Sequence, residues 1–409
     1  MPRQSPPPTL LLRRHARFSP TKPEEPELTI LMPCLDEAET IGACVRKAVA
    51  WLRATGTPGE VLVADNGSVD GSQELARLAG ARVIDVEVRG YGAALLGGLR
   101  GARGTYVIMG DADDTYDFSR LDDFLVRLRA GDQAVIGNRF AGRIAPKAMP
   151  WTHRYIGNPV LSALGRRFFG IGIGDFHCGL RGVDRRAILE LSLQTTGMEF
   201  ASELIVRAAQ AGYRVTEVPT SLGVGGRTRP PHLRTWSDGW RHLRFLLLFS
   251  PRWLFRIPGM LALMVGCALV GVLTFADIPL GGVVFSVGTL IYAAALATVG
   301  LQALMFSLFA TIYAVQSGLS PPPAGADVEL RSFRLERGIV VGCLLVVAGL
   351  VLGGASVWRW SAAGFGSLDP VQQVRIIVPA VLGLTMGTSV ILGSFFLSIL
   401  QLGMDRRHR

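Results

Sequence analysis

Short apolar runs alternate with amphipathic or glycine-rich segments over the first half of the chain. The segment after the first run has the apolar spacing of a helix with one hydrophobic face. Strands that alternate with helices are typical of βαβ units and of a parallel sheet. The strands that this pattern predicts are Leu28–Met32, Val61–Ala64, Arg82–Val86, Tyr106–Met109, one that follows a helix within RLDDFLVRLRAGDQAVIGNRF, and a last one near Arg214–Val218. The first half is therefore predicted to be an α/β domain.

The second half, from about residue 245 onward, is dominated by long apolar runs. A helix that crosses a bilayer needs about 20 such residues, and four runs are long enough. The four predicted spans are Leu254–Phe275, Val283–Val315, Ile339–Trp358 and Ile376–Leu402. Just before them, residues 231–253 interleave tryptophan and leucine with arginine and histidine. This pattern favours an amphipathic helix in the membrane interface, and a surface helix buried against the domain is the alternative.

Basic residues gather on one side of the predicted spans. Arginines flank the first span, recur in the loop between the second and third spans, and end the chain as DRRHR. The positive-inside rule then places the α/β domain, that loop and the C-terminus in the cytosol. We expect a multi-pass protein of the inner (plasma) membrane whose α/β domain lies on the cytosolic side.

Five segments follow from these patterns. They are a disordered N-terminal tail over residues 1–26, an α/β domain over 27–230, interfacial amphipathic helices over 231–253, a membrane domain of four helices over 254–402 and a cytosolic tail over 403–409. Proline and charge in the first segment favour disorder. Its apolar stretch, Leu10–Leu12, is too short for a signal peptide.

Composition changes this description little. The net charge of +10 fits the positive-inside bias, and it also fits attraction to anionic headgroups or phosphates. The five cysteines form no CxxC pair, so the sequence indicates neither a zinc site nor a disulfide framework. We expect a bilayer as partner and no nucleic acid.

The apolar run Tyr106–Met109 ends in three carboxylates, Asp111, Asp113 and Asp114. Carboxylates this close disfavour one another's ionisation unless a positive charge lies near them. A D-x-D pair after a parallel strand can hold Mg²⁺ or Mn²⁺ and bridge the ion to substrate phosphates. Ligands of such sheets gather beyond the carboxyl ends of the strands. The alternative is that these residues cap a predicted helix over Arg120–Leu128.

Five motifs in order make the carboxylates more informative. With these motifs the chain resembles the family 2 glycosyltransferases, which have the Rossmann-like GT-A fold. More narrowly, it is similar to polyprenyl-phosphate hexose synthases of the dolichyl-phosphate mannose or glucose type. The motifs are LMPCLDEAETI, VLVADNGSVDGS, RGYGAAL, VIMGDADDTYDF and DFHCGLRG.

The resemblance implies a membrane-anchored enzyme that moves a hexose, with inversion, from a nucleotide-sugar donor to a polyprenyl phosphate such as undecaprenyl phosphate. UDP-glucose is the favoured donor and Mg²⁺ or Mn²⁺ the expected cofactor. It also implies residues that bind the nucleotide sugar: Pro33, Leu35, Glu37, Asp65, Asn66, Gly92 and Asp111. Asp113 is the expected direct metal ligand and a catalytic residue, and Asp111 reaches the ribose or the metal. The chain departs from the family at Asp36, where asparagine is usual, and at Asn66, where a carboxylate is usual.

The acceptor side is expected to be basic. The resemblance implies that Arg139, Arg154, Arg227 and Arg229 bind the lipid phosphate, because arginine recognises phosphate with two hydrogen bonds. Arg139 and Asp175 are also counted as catalytic, Asp175 as a residue that holds a sugar hydroxyl or orients the acceptor. The alternative for Asp175 is a cap or a salt bridge to Arg181. The roles of four further residues stay open: Asp114, His177, Glu199 and Glu203.

Three other functions stay in view. The first is a GDP-mannose-dependent polyprenyl-phosphate mannosyltransferase. The second is a processive polysaccharide or glycolipid synthase. Its usual Q-x-x-R-W motif is absent, because the two Arg-Trp pairs have Phe249 and Ser356, not glutamine, three residues before the arginine. The third is a sugar-binding membrane scaffold without catalysis. A homo-oligomer formed through the spans is compatible with each of them.

Overall fold

The computed structural model describes residues 26–228, 235–317 and 335–405. Its first part is a seven-stranded sheet covered by helices. The strands are β1 (Leu28–Cys34), β2 (Gly59–Asp65), β3 (Arg82–Asp85), β4 (Tyr106–Met109), β5 (Ala134–Asn138), β6 (Arg181–Asp184) and β7 (Val215–Pro219). The helices are α1 (Ile41–Thr55), α2 (Ser72–Leu78), α3 (Tyr91–Gly101), α4 (Asp122–Arg129), α5 (Asn158–Phe169), α6 (Arg185–Glu190) and α7 (Phe200–Gln210).

The sheet has the strand order β3-β2-β1-β4-β6-β5-β7. All seven residues of β1 are buried, as expected of a strand that is covered on both faces of a parallel sheet. It pairs in parallel with β2, where Cys34 lies opposite Asp65, and with β4, where Leu31 lies opposite Met109. The polar residues that follow these three strands therefore meet at one edge of the sheet, which we call the catalytic edge.

One strand, β6, runs against the others and was not predicted. Its sequence RGVD carries a single branched apolar side chain, Val183, which is too little for a strand pattern. It pairs antiparallel with β4, with Arg181 opposite Met109, and with β5. Because of this reversal, the residues just before β6 lie beside the residues just after β4. The motif DFHCGLR is thus brought to the catalytic edge.

Helix α8 (Thr235–Leu248) links the two parts and has two different faces. Phe245 and Leu246 belong to the core of the α/β domain. Trp236 and Trp240 are 88% and 58% exposed. One face of this helix is therefore buried against the α/β domain, as in the alternative interpretation, while a position of its exposed face in the membrane interface stays a prediction.

Four helices in the described part of the chain are long and apolar enough to cross a membrane, as predicted. These stretches are Arg252–Leu273, Val287–Gln316, Leu335–Ala362 and Pro370–Gln401. The first comprises a π-helical turn, Arg252–Arg256, and α9 (Ile257–Leu273). The others lie in α10 (Val287–Gln316), α11 (Leu335–Ala362) and α12 (Pro370–Asp405).

The predicted start of the second span at Val283 is wrong. Val283–Phe285 is strand β9, which pairs with strand β8 (Ile278–Leu280) in a hairpin. Gly281 and Gly282 form its turn with φ values of 59° and 83°. Two consecutive residues with positive φ give the tight turn that suits a hairpin, so α10 begins only at Val287.

Glycines allow the long helices to pack closely in two pairs. A Cβ added at Gly266 of α9 would lie 2.5 Å from the backbone nitrogen of Ala297 in α10. A Cβ added at Gly349 of α11 would lie 2.7 Å from the carbonyl oxygen of Ala380 in α12. Small residues at such contacts let the two helix backbones approach closely. The resulting van der Waals contacts stabilise helix pairs in a membrane, where the hydrophobic effect does not drive helices together.

Candidate active site

Asp111 follows β4 and is enclosed from two sides. The hydroxyl of Tyr91, at the start of α3, donates a hydrogen bond to Asp111 Oδ1 at 2.8 Å. On the other side lies Gly179, where an added Cβ would come within 2.4 Å of Asp111 Oδ2. Residues of the motifs RGYGAAL and DFHCGLR therefore both contact the Asp111 carboxylate. A side chain at residue 179 would displace this carboxylate.

The environment of Asp111 favours a cation. Burial and the neighbouring charge of Asp113 raise the pKa of Asp111 to about 6. A bound cation offsets this repulsion, and carboxylate oxygens are the ligands that Mg²⁺ and Mn²⁺ prefer. Among the described residues, no group of three or more His, Cys, Asp or Glu side chains is placed so that it could hold a metal ion by itself. The two carboxylates thus fit an ion that takes its remaining ligands from phosphate and water.

Asp113 contacts an arginine from a distant segment. It is buried, and Arg227 Nη2 lies 3.1 Å from its Oδ2. Arg227 Nη1 donates to Glu37 Oε1 at 2.9 Å. Asp113 Oδ1 accepts hydrogen bonds from the Thr115 backbone nitrogen at 3.1 Å and from its hydroxyl at 2.6 Å. A guanidinium between two carboxylates shows that this position attracts positive charge.

Asp65 presents one oxygen without a partner. Its side chain is fully buried. Oδ2 accepts hydrogen bonds from the backbone nitrogens of Gly67 and Ser68 and from the amide of Gln73. Oδ1 has no hydrogen-bond partner in the described structure. A buried acceptor that lacks a donor costs free energy, so this atom is a candidate contact for a ligand N–H.

Asn66 uses its side chain to fold the protein. Nδ2 donates to the carbonyl oxygens of Val86 and Val88 at 2.9 and 2.8 Å, and Oδ1 accepts from Gly90 N at 2.7 Å. A carboxylate at this position could not donate to the two carbonyls. The departure from the family pattern at Asn66 therefore has a structural reason, because the amide holds the segment that leads into α3.

The other departure, Asp36, also holds a loop. It has a φ of 54°, its carboxylate accepts from Val69 N at 2.8 Å, and its own nitrogen donates to the Ser68 hydroxyl at 2.8 Å. Aspartate tolerates the left-handed region nearly as well as asparagine. These bonds join the loop after β1 to the loop after β2.

The remaining predicted nucleotide residues lie on the same edge. Pro33 is within β1, opposite Ala64 of β2, and Leu35 follows that strand. Gly92 is the second residue of α3, where an added Cβ would lie 2.5 Å from the carbonyl oxygen of Thr195. Glycine is needed at residue 92 because the loop before α7 packs directly on this helix.

Arg139 and Asp175 bind each other in the interior. Arg139 Nε and Nη2 donate to the two Asp175 oxygens at 2.7 and 2.8 Å, and Arg139 N donates to Oδ2 at 3.1 Å. Asp175 is fully buried, and Arg139 is 8% exposed. The alternative partner considered for Asp175, Arg181, instead donates to the carbonyls of Phe176, Cys178 and Ala201. The pairing of Asp175 with Arg181 is therefore wrong.

The four arginines predicted for the lipid phosphate are in different situations. Arg139 is committed to Asp175 and Arg227 to the catalytic edge. Arg154 is in a π-helical turn, His153–Gly157, with its guanidinium 5.5 Å from the Tyr155 ring centroid. Arg229 lies outside the described residues. Their role toward a phosphate stays a prediction.

Three of the residues left open by the sequence have distinct surroundings. Asp114 has a φ of 61° and pairs with Lys47 at 2.6 Å. Glu203 accepts hydrogen bonds from Gln194 N and Thr195 N and so closes the loop before α7. Glu199 Oε2 is buried and has no hydrogen-bond partner among the residues described. Asp114 and Glu203 thus have structural contacts, whereas Glu199 has an unused oxygen.

His177 lies behind the Arg139–Asp175 pair. Its ring stands 4.4 Å from the ring of His242 of α8, and His242 Nδ1 is 3.0 Å from the Ser202 hydroxyl. Burial, with His242 and Arg139 nearby, holds the pKa of His177 well below its usual range. Burial and Arg181 lower the pKa of His242 to about 4. Both rings are therefore neutral at pH 7.

Sequence reasoning missed two contacts of this region. Tyr91 was treated only as part of a glycine-rich motif, and its hydroxyl is what holds Asp111. Trp253 stacks on Phe168 with ring centroids 5.4 Å apart, and Arg167 lies 4.1 Å above the same Trp253 ring. The basic and aromatic composition near α5 was visible, but the pairing of α5 with the first membrane helix depends on the tertiary fold.

Comparison with known proteins places this site in a family. Residues 29–192 match glycosyl transferase family 2, and residues 308–401 match the family 2 C-terminal transmembrane region. A low-salt glycan biosynthesis hexosyltransferase of Haloferax volcanii is 35% identical over 381 residues, which cover 92% of this chain and 89% of that protein. The chain belongs to the family 2 glycosyltransferases. This family 2 glycosyltransferase is a membrane protein, and the predicted GT-A domain followed by four apolar helices is confirmed.

Two further proteins resemble this glycosyltransferase over its first part. A dolichyl-phosphate hexose transferase of Haloferax volcanii is 31% identical over 194 residues, which cover 47% of this chain and 81% of that protein. A crystal structure of glucosyl-3-phosphoglycerate synthase from Mycobacterium tuberculosis, in complex with Mn²⁺, UDP and glucosyl-3-phosphoglycerate, superposes with a TM-score of 0.43 at 21% identity. That superposition covers 54% of this chain and 79% of that one.

Proposed function

We propose that the protein transfers a hexose from a nucleotide-diphosphate sugar to a polyprenyl phosphate such as undecaprenyl phosphate, with inversion at the anomeric carbon. UDP-glucose is the favoured donor. The observation that carries the proposal is the pair Asp111 and Asp113 at the catalytic edge of a chain with four apolar helices. The relatives named as a hexosyltransferase and a dolichyl-phosphate hexose transferase support the same reaction.

The donor nucleotide binds across the ends of β1, β2 and β4. Asp65 Oδ1 is buried and lacks a donor, and both uracil and guanine carry a ring N–H that an acceptor of this kind binds. Pro33, Leu35 and Glu37 border the same edge from β1 and its loop. Gly92 lets the loop before α7 pack directly on the start of α3.

Asp111 and Asp113 would hold Mg²⁺ or Mn²⁺ together with the diphosphate. When bound, the ion acts as a Lewis acid on the leaving nucleoside diphosphate. Tyr91 orients Asp111 through its hydrogen bond, and Thr115 orients Asp113. Both carboxylates are thus set before the donor arrives, which is how preorganised sites lower the barrier to charge development.

The acceptor phosphate needs little help from a base. A phosphate monoester has a second pKa of about 6 and is largely a dianion at pH 7. The protein must therefore offset its charge and position one phosphate oxygen behind the anomeric carbon. Arg154, Arg227 and Arg229 are the candidates for that charge, since the guanidinium of Arg139 is already bound to Asp175. The positive-inside bias favours a cytosolic position for the reaction.

A donor and acceptor assay tests the proposal. Full-length protein in detergent is incubated with undecaprenyl phosphate, Mn²⁺ or Mg²⁺ and, in separate reactions, radiolabelled UDP-glucose, UDP-N-acetylglucosamine or GDP-mannose. We expect metal-dependent label in the organic phase from one donor. It is lost with EDTA and in Asp113→Asn, and it is retained in Asp117→Asn, whose carboxylate binds the backbone and hydroxyl of Ser119.

The outcomes separate the alternatives. Label from GDP-mannose alone would replace UDP-glucose as donor. Label that grows into a polymer would indicate a processive synthase. Absence of lipid label from every donor would overturn the polyprenyl phosphate acceptor.

A further inference from the structure

The segment from Gly223 to Thr228, which we call the strap, lies across the catalytic edge. Gly223 N donates to Thr115 O at 2.8 Å, and Gly226 N donates to Asp113 O at 3.1 Å. Thr228 donates to the Glu39 carboxylate from both its backbone nitrogen and its hydroxyl at 2.6 Å. The strap is thus tied to the metal-site loop and to the loop after β1.

Arg227 is the charged centre of the strap. Its guanidinium bridges Glu37 Oε1 at 2.9 Å and Asp113 Oδ2 at 3.1 Å. The three side chains are 15%, 9% and 12% exposed, so this is a largely desolvated pairing of one positive charge with two negative ones. A charge held this way interacts far more strongly with its neighbours than one in open water.

A divalent ion held by Asp113 would compete with this guanidinium for the carboxylate. Mg²⁺ binds carboxylate oxygens at about 2.1 Å, and Arg227 already lies within hydrogen-bonding distance of Asp113 Oδ2. Two cations that share one carboxylate oxygen in a desolvated site repel each other. Binding of an ion at Asp113 would therefore favour release of Arg227 from this carboxylate.

We propose that Arg227 is an exchangeable counter-ion, which neutralises Asp113 before the donor binds and is released from it when the metal and diphosphate arrive. This inference rests on the metal role proposed above for Asp113. The released guanidinium stays near the reaction centre, because the other strap bonds involve Thr115, Asp113 O and Glu39. It is then available to a second phosphate. The donor is expected to bind first and the acceptor phosphate second.

The proposal predicts that removal of the Arg227 side-chain charge increases the affinity for Mn²⁺. If Arg227 competes with the ion, Arg227→Gln binds Mn²⁺ more tightly than the wild type. If Arg227 instead only binds the donor diphosphate or supports the loop, its removal weakens or does not change Mn²⁺ binding. The measurement is free Mn²⁺ by electron paramagnetic resonance, on full-length protein in detergent without nucleotide.

We expect the apparent Kd for Mn²⁺ to fall about fivefold or more in Arg227→Gln, the size set by loss of one ion pair. Arg227→Lys should lie between the two, because an ammonium keeps the charge but cannot bridge both carboxylates. The matched control is Arg129→Gln, which removes the same charge from a pair with Glu27 just before β1, at the opposite edge of the sheet. It should bind Mn²⁺ like the wild type.

Two results would overturn the inference, and they are distinguishable. Equal or weaker Mn²⁺ binding in Arg227→Gln, with clear binding in the wild type, overturns the counter-ion role and leaves the proposed function intact. No Mn²⁺ binding in any of these proteins, either without nucleotide or in a repeat with UDP present, overturns the metal site itself. A lipid-transfer assay on the same samples adds a second readout, in which Arg227→Gln should raise the KM for the polyprenyl phosphate.

Discussion

Two arginine–aspartate pairs near the strand ends differ in depth and in what they can do. Arg139 and Asp175 share two side-chain hydrogen bonds and a backbone one in the interior, and Glu217 further binds the nitrogens of Gly174 and Asp175. Arg227 touches Asp113 once, at 3.1 Å, and divides its charge with Glu37. The Arg139–Asp175 pair stabilises the interior of the domain, whereas the Arg227–Asp113 pair leaves a carboxylate that can bind a metal ion.

Breaking the buried pair should have the largest effect. Asp175→Asn leaves the Arg139 charge buried without a counter-charge, so the free energy of unfolding should fall by about 3–5 kcal/mol. Denaturation of the full-length protein in detergent measures it. Arg227→Gln is the comparison, with a smaller expected loss, because Asp113 keeps its two hydrogen bonds from Thr115 when the guanidinium is removed. Equal losses in the two variants would erase the distinction between the pairs.

The histidines behind the buried pair should make stability depend on pH. His242 has a pKa of about 4 in the folded protein and about 6.5 when unfolded, so the unfolded chain binds more protons between these values. The stabilisation is fully present above about pH 6.5 and is lost as pH falls toward 4, by up to about 3 kcal/mol. Thermal unfolding from pH 7 to 4 should show this loss, and His242→Gln should flatten the profile. An unchanged profile in the variant would contradict the assignment.

Asn66→Asp tests the support beneath the catalytic edge. The change removes two donors, so the carbonyls of Val86 and Val88 face a carboxylate. We expect a loss of about 1–3 kcal/mol in unfolding free energy. Nucleotide binding by calorimetry should weaken at the same time. If the variant matched the wild type in unfolding free energy and in nucleotide binding, the Asn66 side chain would not hold the segment that leads into α3.

Tyr91→Phe should have the smallest effect. The Tyr91 hydroxyl lowers the pKa of Asp111, while burial and Asp113 raise it to about 6. Without the hydroxyl the pKa of Asp111 rises further, so protons compete with the metal ion for this carboxylate up to a higher pH. The midpoint of Mn²⁺ binding against pH should move upward by about half a pH unit. A shift downward would show that Tyr91 does not stabilise the Asp111 anion.

The sequence predicted those features that depend on local pattern. The run Tyr106–Met109 and the carboxylates after it are visible because a buried strand and a charge cluster contrast sharply. The parallel strands and four apolar helices follow from periodicity and length. The same reasoning could not predict β6, whose sequence RGVD becomes a strand only because β4 and β5 flank it.

Contacts between distant segments were also beyond the sequence. Arg139 and Asp175 are 36 residues apart, and Glu37 and Arg227 are 190 apart, so no spacing rule joins them. Arg139 read alone has the chemistry of a phosphate ligand, and only the fold shows that its guanidinium is occupied. Strand Val283–Phe285 was assigned to the second span because its apolar residues continue directly into the membrane pattern.

The most direct test of the account is whether Asp113 binds the metal and diphosphate. Calorimetry with Mn²⁺ and UDP compares the full-length wild type, Asp113→Asn and the control Asp117→Asn, with unfolding measured on each. We expect the wild type and Asp117→Asn to bind alike, and Asp113→Asn to lose metal-dependent binding while it stays folded. Binding of Mn²⁺ and UDP by Asp113→Asn with wild-type affinity would contradict the assignment of the catalytic edge.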